Sequence, residues 1–109
     1  MANARYIKGY NFETAIKKKL EKAGFYVCRS GGSKGVFDLL AVKNDLVLGI
    51  QCKYDGRIYE YEIKRTVKVA YECGITPVLA FSENRKHKFF FFTTGETKEV
   101  GEFLSEIEK

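Results

Sequence analysis

The sequence predicts an α/β fold in which a central mixed sheet of five strands is flanked by helices. Apolar residues recur at helical spacing in three segments, and five short runs are rich in β-branched and aromatic residues. Glycines and turn-forming residues separate these segments. The predicted order is α-β-β-β-α-β-β-α, without repeats, which is typical of helices packed on a sheet. The 109 residues are expected to form one domain, residues 1–109.

The first predicted helix spans residues 11–23 and is followed by three strands. Asn11 can serve as the N-cap of this helix, and Gly24 can end it in a left-handed conformation. The strands are predicted over residues 25–29, 36–42 and 46–53. The turn-forming residues 43–45 favour an antiparallel hairpin between the second and third strands.

The rest of the chain is predicted to contain a helix, two strands and a closing helix. These elements cover residues 59–73, 76–81, 88–93 and 99–107. Gly74 can end the first of these helices. The run Phe89–Phe92 allows two interpretations: a strand buried on both faces, or an apolar stripe that meets a second subunit.

The composition favours a folded domain with a polyanionic partner. The formal net charge is +5, which favours nucleic acid, although a merely basic surface is the alternative. No apolar run is long enough to span a membrane, so no membrane association is expected. Three cysteines without a C-x-x-C pattern indicate buried thiols in a reducing, cytoplasmic setting.

The residues that can carry chemistry lie in the second and third predicted strands. Asp38 interrupts an apolar run, where a charge is costly unless it is paired. Gln51 and Lys53 are two residues apart on a strand and so share a face. If the hairpin brings them beside Asp38, a carboxylate, an amide oxygen and an ammonium group converge, which suits Mg²⁺ or Mn²⁺. An ordinary structural salt bridge is the alternative for Asp38.

Glu13 and the loop of residues 30–35 are candidate site residues mainly because of this predicted cluster. Glu13 falls in the first turn of the predicted first helix, a position that acidic residues favour in any case. Residues 30–35 form a glycine-rich loop that is either a flexible connector or a phosphate-binding segment. Its glycines allow close backbone approach to a phosphate, and its candidate DNA-binding residues are Ser30, Gly32, Ser33 and Lys34.

The residues together resemble the archaeal-type Holliday junction resolvases, which belong to the PD-(D/E)xK, restriction-endonuclease-like nuclease superfamily. The matching positions are Gly9, Phe12-Glu13, Gly24-Phe25, Arg29-Ser30, Gly32-Ser33, Asp38 to Ala41 and Ile50 to Lys53. The resemblance covers residues 5 to 53 and weakens afterwards. It implies a restriction-endonuclease-like core and a homodimer that cuts four-way DNA junctions by metal-dependent hydrolysis.

The resemblance also implies roles for single residues. Glu13, Asp38 and Gln51 would hold Mg²⁺ or Mn²⁺ with the backbone carbonyl of Cys52, and Lys53 would be the catalytic lysine. The chain departs from the family pattern at Gln51, where an acidic residue is usual. An amide oxygen can still bind a metal, but the site loses one negative charge, so Mn²⁺ is expected to be favoured.

Other residues would contact the branched double-stranded DNA. Ser33 matches a serine near the scissile phosphate, and Arg5, Lys8 and Arg29 match basic positions that hold the backbone. Arg57 is a further candidate for a phosphate contact. Lys64, Arg65 and Lys68 could contact phosphates or could equally be only solvated.

Three alternatives remain open from the sequence. The first is a nicking, repair or restriction-type nuclease on the same core. The second is a catalytically weakened DNA-binding module in which Gln51 marks a decayed metal site. The third is a structural subunit of a larger assembly.

Overall fold

The structure, a computed structural model, describes residues 4–30 and 36–108, with side chains from residue 7 onward. The helices are α1 (Ala4–Lys22), α2 (Glu60–Cys73) and α3 (Val100–Ile107). The strands are β1 (Tyr26–Arg29), β2 (Leu39–Lys43), β3 (Leu46–Cys52), β4 (Thr76–Glu83), β5 (Lys86–Phe91) and β6 (Thr97–Glu99). No helix in the described part of the chain is long and apolar enough to cross a membrane.

The strands form one six-stranded sheet in the order β1-β2-β3-β4-β5-β6. All neighbouring pairs are antiparallel except β3 and β4, which are parallel and are joined by α2. The predicted α/β class with a mixed sheet is therefore confirmed, with one strand more than predicted. The additional strand is β6, whose residues Thr97, Lys98 and Glu99 offer no apolar residue to signal a strand.

Several boundaries differ from the prediction. α1 begins at Ala4 rather than at Asn11, so Asn11 is an interior helical residue and not the N-cap. The early turns carry exposed apolar side chains, with Ile7 and Tyr10 about half exposed, so apolar periodicity gave no sign of them. β2 begins at Leu39, which leaves Asp38 just before the strand.

Helices cover both faces of the sheet. Ile50 of β3 is fully buried in the same apolar cluster as Ile16 of α1 and Phe103 of α3. Successive strand residues point to opposite faces, and the next residue, Gln51, is hydrogen-bonded to Thr66 of α2. α1 and α3 therefore pack on one face, and α2 packs on the other.

Gly49 fixes how the segment before Asp38 packs against the α2 face. A Cβ atom at Gly49 would lie 2.7 Å from the ring of Phe37 and 2.7 Å from Ile75. The absent side chain therefore makes room for the Phe37 ring, which is buried. This contact anchors the residue that immediately precedes Asp38.

The phenylalanine run is fully buried on one face only. Phe89 and Phe91 are buried in the core, whereas Phe90 and Phe92 are half-buried and contact each other edge to face. The prediction of three buried cysteines was wrong for two of them. All three are free thiols, but Cys28 and Cys73 are exposed and only Cys52 is half-buried.

Candidate active site

Three of the predicted residues meet where the β2–β3 hairpin ends. The backbone N–H of Asp38 donates to the Ile50 carbonyl at 2.8 Å, which extends the hairpin beyond the start of β2. One Asp38 carboxylate oxygen, Oδ2, accepts the backbone N–H of Cys52 at 2.7 Å. The Asp38 side chain is therefore fixed against the strand end that carries Gln51 and Lys53.

The Asp38 carboxylate lies in a partly desolvated environment. Burial raises its pKa above the ordinary aspartate value, and the negative charge of Glu62 adds to the rise. The hydrogen bond from Cys52 and the charge of Lys53 act in the opposite direction without cancelling it. A carboxylate in such a position is stabilised by any additional positive charge that binds near it.

Gln51 is buried and held by its amide nitrogen. Nε2 donates to the carbonyl of Val36 and to Oγ1 of Thr66 at 3.2 Å. Thr66 is itself fully buried on α2. Because the nitrogen is engaged, the amide oxygen is the atom of Gln51 that is able to act as a metal ligand.

Lys53 faces α2 one turn nearer the N-terminus of that helix than Thr66. Its backbone N–H donates to the Ala80 carbonyl at 2.9 Å, and its Nζ lies 2.9 Å from Oε2 of Glu62. Burial opposes ionisation of Glu62, but hydrogen bonds from Lys53 and from the Tyr59 backbone outweigh it and hold the Glu62 pKa below its usual range. Lys53 is thus held beside Asp38 by a charged partner.

Glu62 is the site residue that sequence reasoning missed. Helical spacing alone offered a signal, because Glu62 and Thr66 are four residues apart and so share a face of α2. Its place three residues after Tyr59, with Oε1 3.3 Å from the Tyr59 backbone nitrogen, is also typical of a helix-capping acid. Neither signal indicated which strand this face of α2 would meet.

Glu13 reaches the same strand end from the α1 face. Its Oε1 accepts a hydrogen bond from Arg29 Nε at 2.6 Å, and Arg29 Nη2 also donates to Thr14 Oγ1 at 2.7 Å. Burial raises the pKa of the Cys52 thiol strongly, and the charges of Asp38 and Glu13 both add to the rise. Both carboxylates therefore lie near Cys52, and Glu13 is occupied by Arg29.

The oxygen donors near this strand end are of the type that binds hard divalent cations. They comprise the Asp38 carboxylate, the Gln51 amide oxygen, the Cys52 carbonyl and the Glu13 carboxylate, and oxygens are the ligands that Mg²⁺ and Mn²⁺ prefer. Within residues 4–30 and 36–108, no three His, Cys, Asp or Glu side chains are grouped closely enough to hold a metal. The donor chemistry therefore fits a divalent cation, while Glu13 is turned to Arg29.

An open groove of about 940 Å³ runs past Lys53. Lys8 and Arg57, two predicted DNA-binding residues, line it together with Tyr54 and Tyr59. Lys8 Nζ lies 4.1 Å from the centre of the Tyr54 ring. The groove is thus lined by three cationic side chains, those of Lys8, Lys53 and Arg57.

The other predicted DNA contacts lie elsewhere. Lys64, Arg65 and Lys68 are exposed on α2, whereas Glu62 and Thr66 turn toward the sheet. The Ser30 backbone N–H donates to the Asp38 carbonyl at 2.9 Å. Gly32, Ser33 and Lys34 lie outside the described residues, as does the side chain of Arg5.

The mixed sheet, with an aspartate just before β2 and a lysine just after β3, is typical of the restriction-endonuclease-like nucleases, although Gln51 stands where an acidic residue is usual. The family model described as "Archaeal holliday junction resolvase (hjc)" matches residues 4–108. The chain belongs to this family.

Two individual proteins illustrate the relationship. The chain is 34% identical over 111 aligned residues to the Crossover junction endodeoxyribonuclease Hjc of Methanocaldococcus jannaschii, covering 94% of this chain and 83% of that protein. It also resembles the solved structure of Archaeoglobus fulgidus Hjc, a Holliday junction resolvase, with a TM-score of 0.73. That match has 23% identity and covers 90% of this chain and 96% of the other, so it confirms the fold.

Proposed function

We propose that this protein is a structure-selective endonuclease that resolves four-way DNA junctions by metal-dependent hydrolysis of phosphodiester bonds. One observation supports it above the others: Asp38 is pinned by its Oδ2 to the Cys52 N–H at 2.7 Å beside Lys53. Membership of the resolvase family gives this arrangement its substrate class.

Asp38, the Gln51 amide oxygen and the Cys52 carbonyl would hold a divalent cation, Mg²⁺ or Mn²⁺, with Glu13 as a further donor. When bound, such a cation supplies Lewis-acid polarisation of the phosphate and lowers the pKa of a bound water. Lys53 contributes a positive charge and hydrogen-bond donors to the negative charge that develops on the phosphate oxygens. Its ion pair with Glu62 keeps the ammonium directed toward that position.

The groove beside Lys53 would receive the DNA backbone. Lys8 and Arg57 line it and supply charge for phosphates, which position a duplex without reading its sequence. Selectivity would then come from the shape of the junction rather than from base contacts.

A four-way junction needs two symmetric cuts, and a two-fold homodimer would present two such sites. We therefore infer a homodimer on the junction. A cytoplasmic location is a further proposal, supported by the three free thiols, which persist in reducing compartments.

The experiment compares cleavage of a synthetic four-way junction with an immobile crossover and of a linear duplex of equal length. Wild type is expected to cut the junction in Mg²⁺ or Mn²⁺ and to leave the duplex largely intact. Asp38→Asn serves as the binding-competent, inactive control. Equal rates on the two substrates would reject junction resolution and favour a general nicking or repair nuclease.

A second candidate function is junction binding without cleavage. It is favoured by one observation: Gln51 brings no charge to the site, and its amide nitrogen is tied to Val36 and Thr66. Tight binding of the junction with no cutting in either cation would support this candidate. Junction binding should also be measured at increasing salt concentration. If phosphate contacts dominate, the affinity falls steeply as the salt concentration rises.

A further inference from the structure

The side chains of Gln51, on β3, and Lys53, just after β3, both contact one face of α2. Gln51 contacts Thr66 at 3.2 Å, and Lys53 contacts Glu62 at 2.9 Å. A two-residue step along an extended strand spans nearly the same distance as one helical turn. The two contacts therefore run side by side, one neutral and one charged.

The side chains around Asp38 carry a net negative charge only if Glu62 is included. Asp38 carries a negative charge, Lys53 a positive one, and Gln51 none. A divalent cation close to Asp38 would also lie close to the Lys53 ammonium and be repelled by it. Glu62 neutralises that ammonium, and its side chain is shielded, being 17% exposed.

We propose that Glu62 is a positioning residue of the nuclease centre: its carboxylate holds the Lys53 ammonium beside Asp38 and supplies the negative charge that Gln51 does not carry. This inference rests on the proposed function. Glu62 would act on the reaction through Lys53 and would not itself contact the phosphate.

A helix-capping role is the competing explanation for Glu62. Its Oε1 lies 3.3 Å from the Tyr59 backbone nitrogen, and acidic residues in a first helical turn stabilise the helix. Glutamine also serves at this capping position. Glu62→Gln therefore keeps an acceptor for the cap and removes the charge and the acceptor oxygen that face Lys53.

Glu60 offers a matched control for the same helix end. It lies in the same first turn of α2, and its carboxylate pairs with Lys64 at 3.3 Å on the exposed surface. Glu60→Gln removes the same charge from the helix end without touching Lys53. Any effect specific to the site must be absent from this variant.

The test measures Mn²⁺ binding without DNA, by the electron paramagnetic resonance signal of free Mn²⁺, together with junction cleavage. Glu62→Gln is expected to weaken Mn²⁺ binding about tenfold, the size of effect that one uncompensated charge has on a nearby divalent cation. Glu60→Gln should bind Mn²⁺ within about twofold of wild type, since exposed pairs contribute little. Equal affinities for wild type and Glu62→Gln would overturn the proposal.

A double variant shows whether Glu62 acts through Lys53. In Lys53→Gln/Glu62→Gln both members of the ion pair are neutral, so Mn²⁺ affinity is expected to return to near the wild-type value. This variant leaves no unpaired charge and also tests the proposal if Glu62→Gln alone folds poorly. An undiminished loss in the double variant would contradict the role of Lys53.

Junction cleavage and Mn²⁺ binding by wild type distinguish a failure of the proposed function from a failure of the proposed role of Glu62. If wild type binds Mn²⁺ but cuts no junction, the nuclease proposal fails, while the binding series still decides whether Glu62 supports the site. If wild type binds no Mn²⁺ at all, both proposals are overturned.

Discussion

The two faces of the sheet at the end of β3 each carry an ion pair, and the pairs act on different groups. On the α1 face, Glu13 and Arg29 lie 2.6 Å apart and influence the thiol of Cys52. On the α2 face, Lys53 and Glu62 lie 2.9 Å apart, and both change the pKa of the Asp38 carboxyl.

The contrast indicates that the Lys53–Glu62 pair, rather than the Glu13–Arg29 pair, sets the electrostatic environment of Asp38. Changes on the α2 face should alter cation binding and catalysis, because they change the electrostatic environment of Asp38. A change at Arg29 on the α1 face should alter mainly stability and DNA binding, because Arg29 is tied to Glu13, Thr14 and the Tyr10 ring. The following predictions separate the two faces.

The largest effect is expected for Asp38→Asn. Cleavage should fall by about a thousandfold or more, because the main anionic ligand of the proposed site is lost. An asparagine oxygen can still accept the Cys52 N–H, so the fold should persist. Single-turnover cleavage and junction binding, measured in parallel, would show loss of the first and retention of the second.

The difference in unfolding free energy between wild type and Asp38→Asn should depend on pH, and burial of Asp38 sets the sign of that dependence. The pKa of Asp38 is raised in the folded protein, so its charge destabilises the fold at pH values above that pKa. This cost disappears as the pH falls through the folded-state pKa. The asparagine variant should therefore be at least as stable as wild type near neutrality, and the two unfolding free energies should converge in acid.

Breaking the α1-face pair tests the other half of the comparison. Arg29→Gln leaves the Glu13 carboxylate, 22% exposed, without its charged partner, which should cost about 1–3 kcal/mol in the free energy of unfolding. Urea denaturation measures it. Lys17→Gln is the control, because the Lys17–Glu21 pair is more exposed and should contribute less than about 0.5 kcal/mol.

The effect of Arg29→Gln on cation binding distinguishes the two faces of the sheet directly. Mn²⁺ affinity of Arg29→Gln should match or exceed that of wild type, since a nearby positive charge is removed and Glu13 is freed. A large loss of Mn²⁺ affinity would show that the α1 face also controls the chemistry and would remove the contrast.

The hairpin residues were predictable because they are local in sequence. Asp38 and Lys53 directly flank two consecutive strands that are joined by a short turn, so alternation and turn chemistry placed them together. Glu62 reaches the site only because β3 and β4 pair in parallel and α2 crosses the sheet face between them. That arrangement depends on tertiary packing, which no local spacing in the sequence reveals.

Other differences have similarly specific causes. Residues 97–99 form β6 by pairing with β5, although all three are polar, so strand pairing rather than propensity decides their structure. The first turns of α1 carry exposed apolar side chains such as Ile7 and Tyr10. These side chains interrupt the apolar periodicity by which a helix is recognised in a sequence. The exposure of Cys28 follows from strand alternation, since its neighbour Val27 is the buried one.

Gln51→Glu would place a carboxylate at the end of β3 on the α2 face. A carboxylate cannot donate to the Val36 carbonyl, so the free energy of unfolding should fall by about 1–2 kcal/mol. Cleavage in Mg²⁺ should be kept or raised, because the site gains the charge that Gln51 lacks. Rates in both cations, normalised to folded protein, are the measurement; a folded variant inactive in both would count against Gln51 as a ligand.

The smallest effect is expected for Thr66→Val, which removes one hydroxyl from the α2 face at nearly constant shape. Gln51 Nε2 would lose its acceptor at 3.2 Å but keep the Val36 carbonyl. Because Thr66 is fully buried, the loss should cost about 1 kcal/mol in stability and, by loosening Gln51, lower cleavage only a few-fold. Thermal unfolding and cleavage rates measure the two effects, with Thr14→Val as the α1-face control that removes an acceptor of Arg29. If that control reduced cleavage as much as Thr66→Val, the two faces would contribute equally to the chemistry.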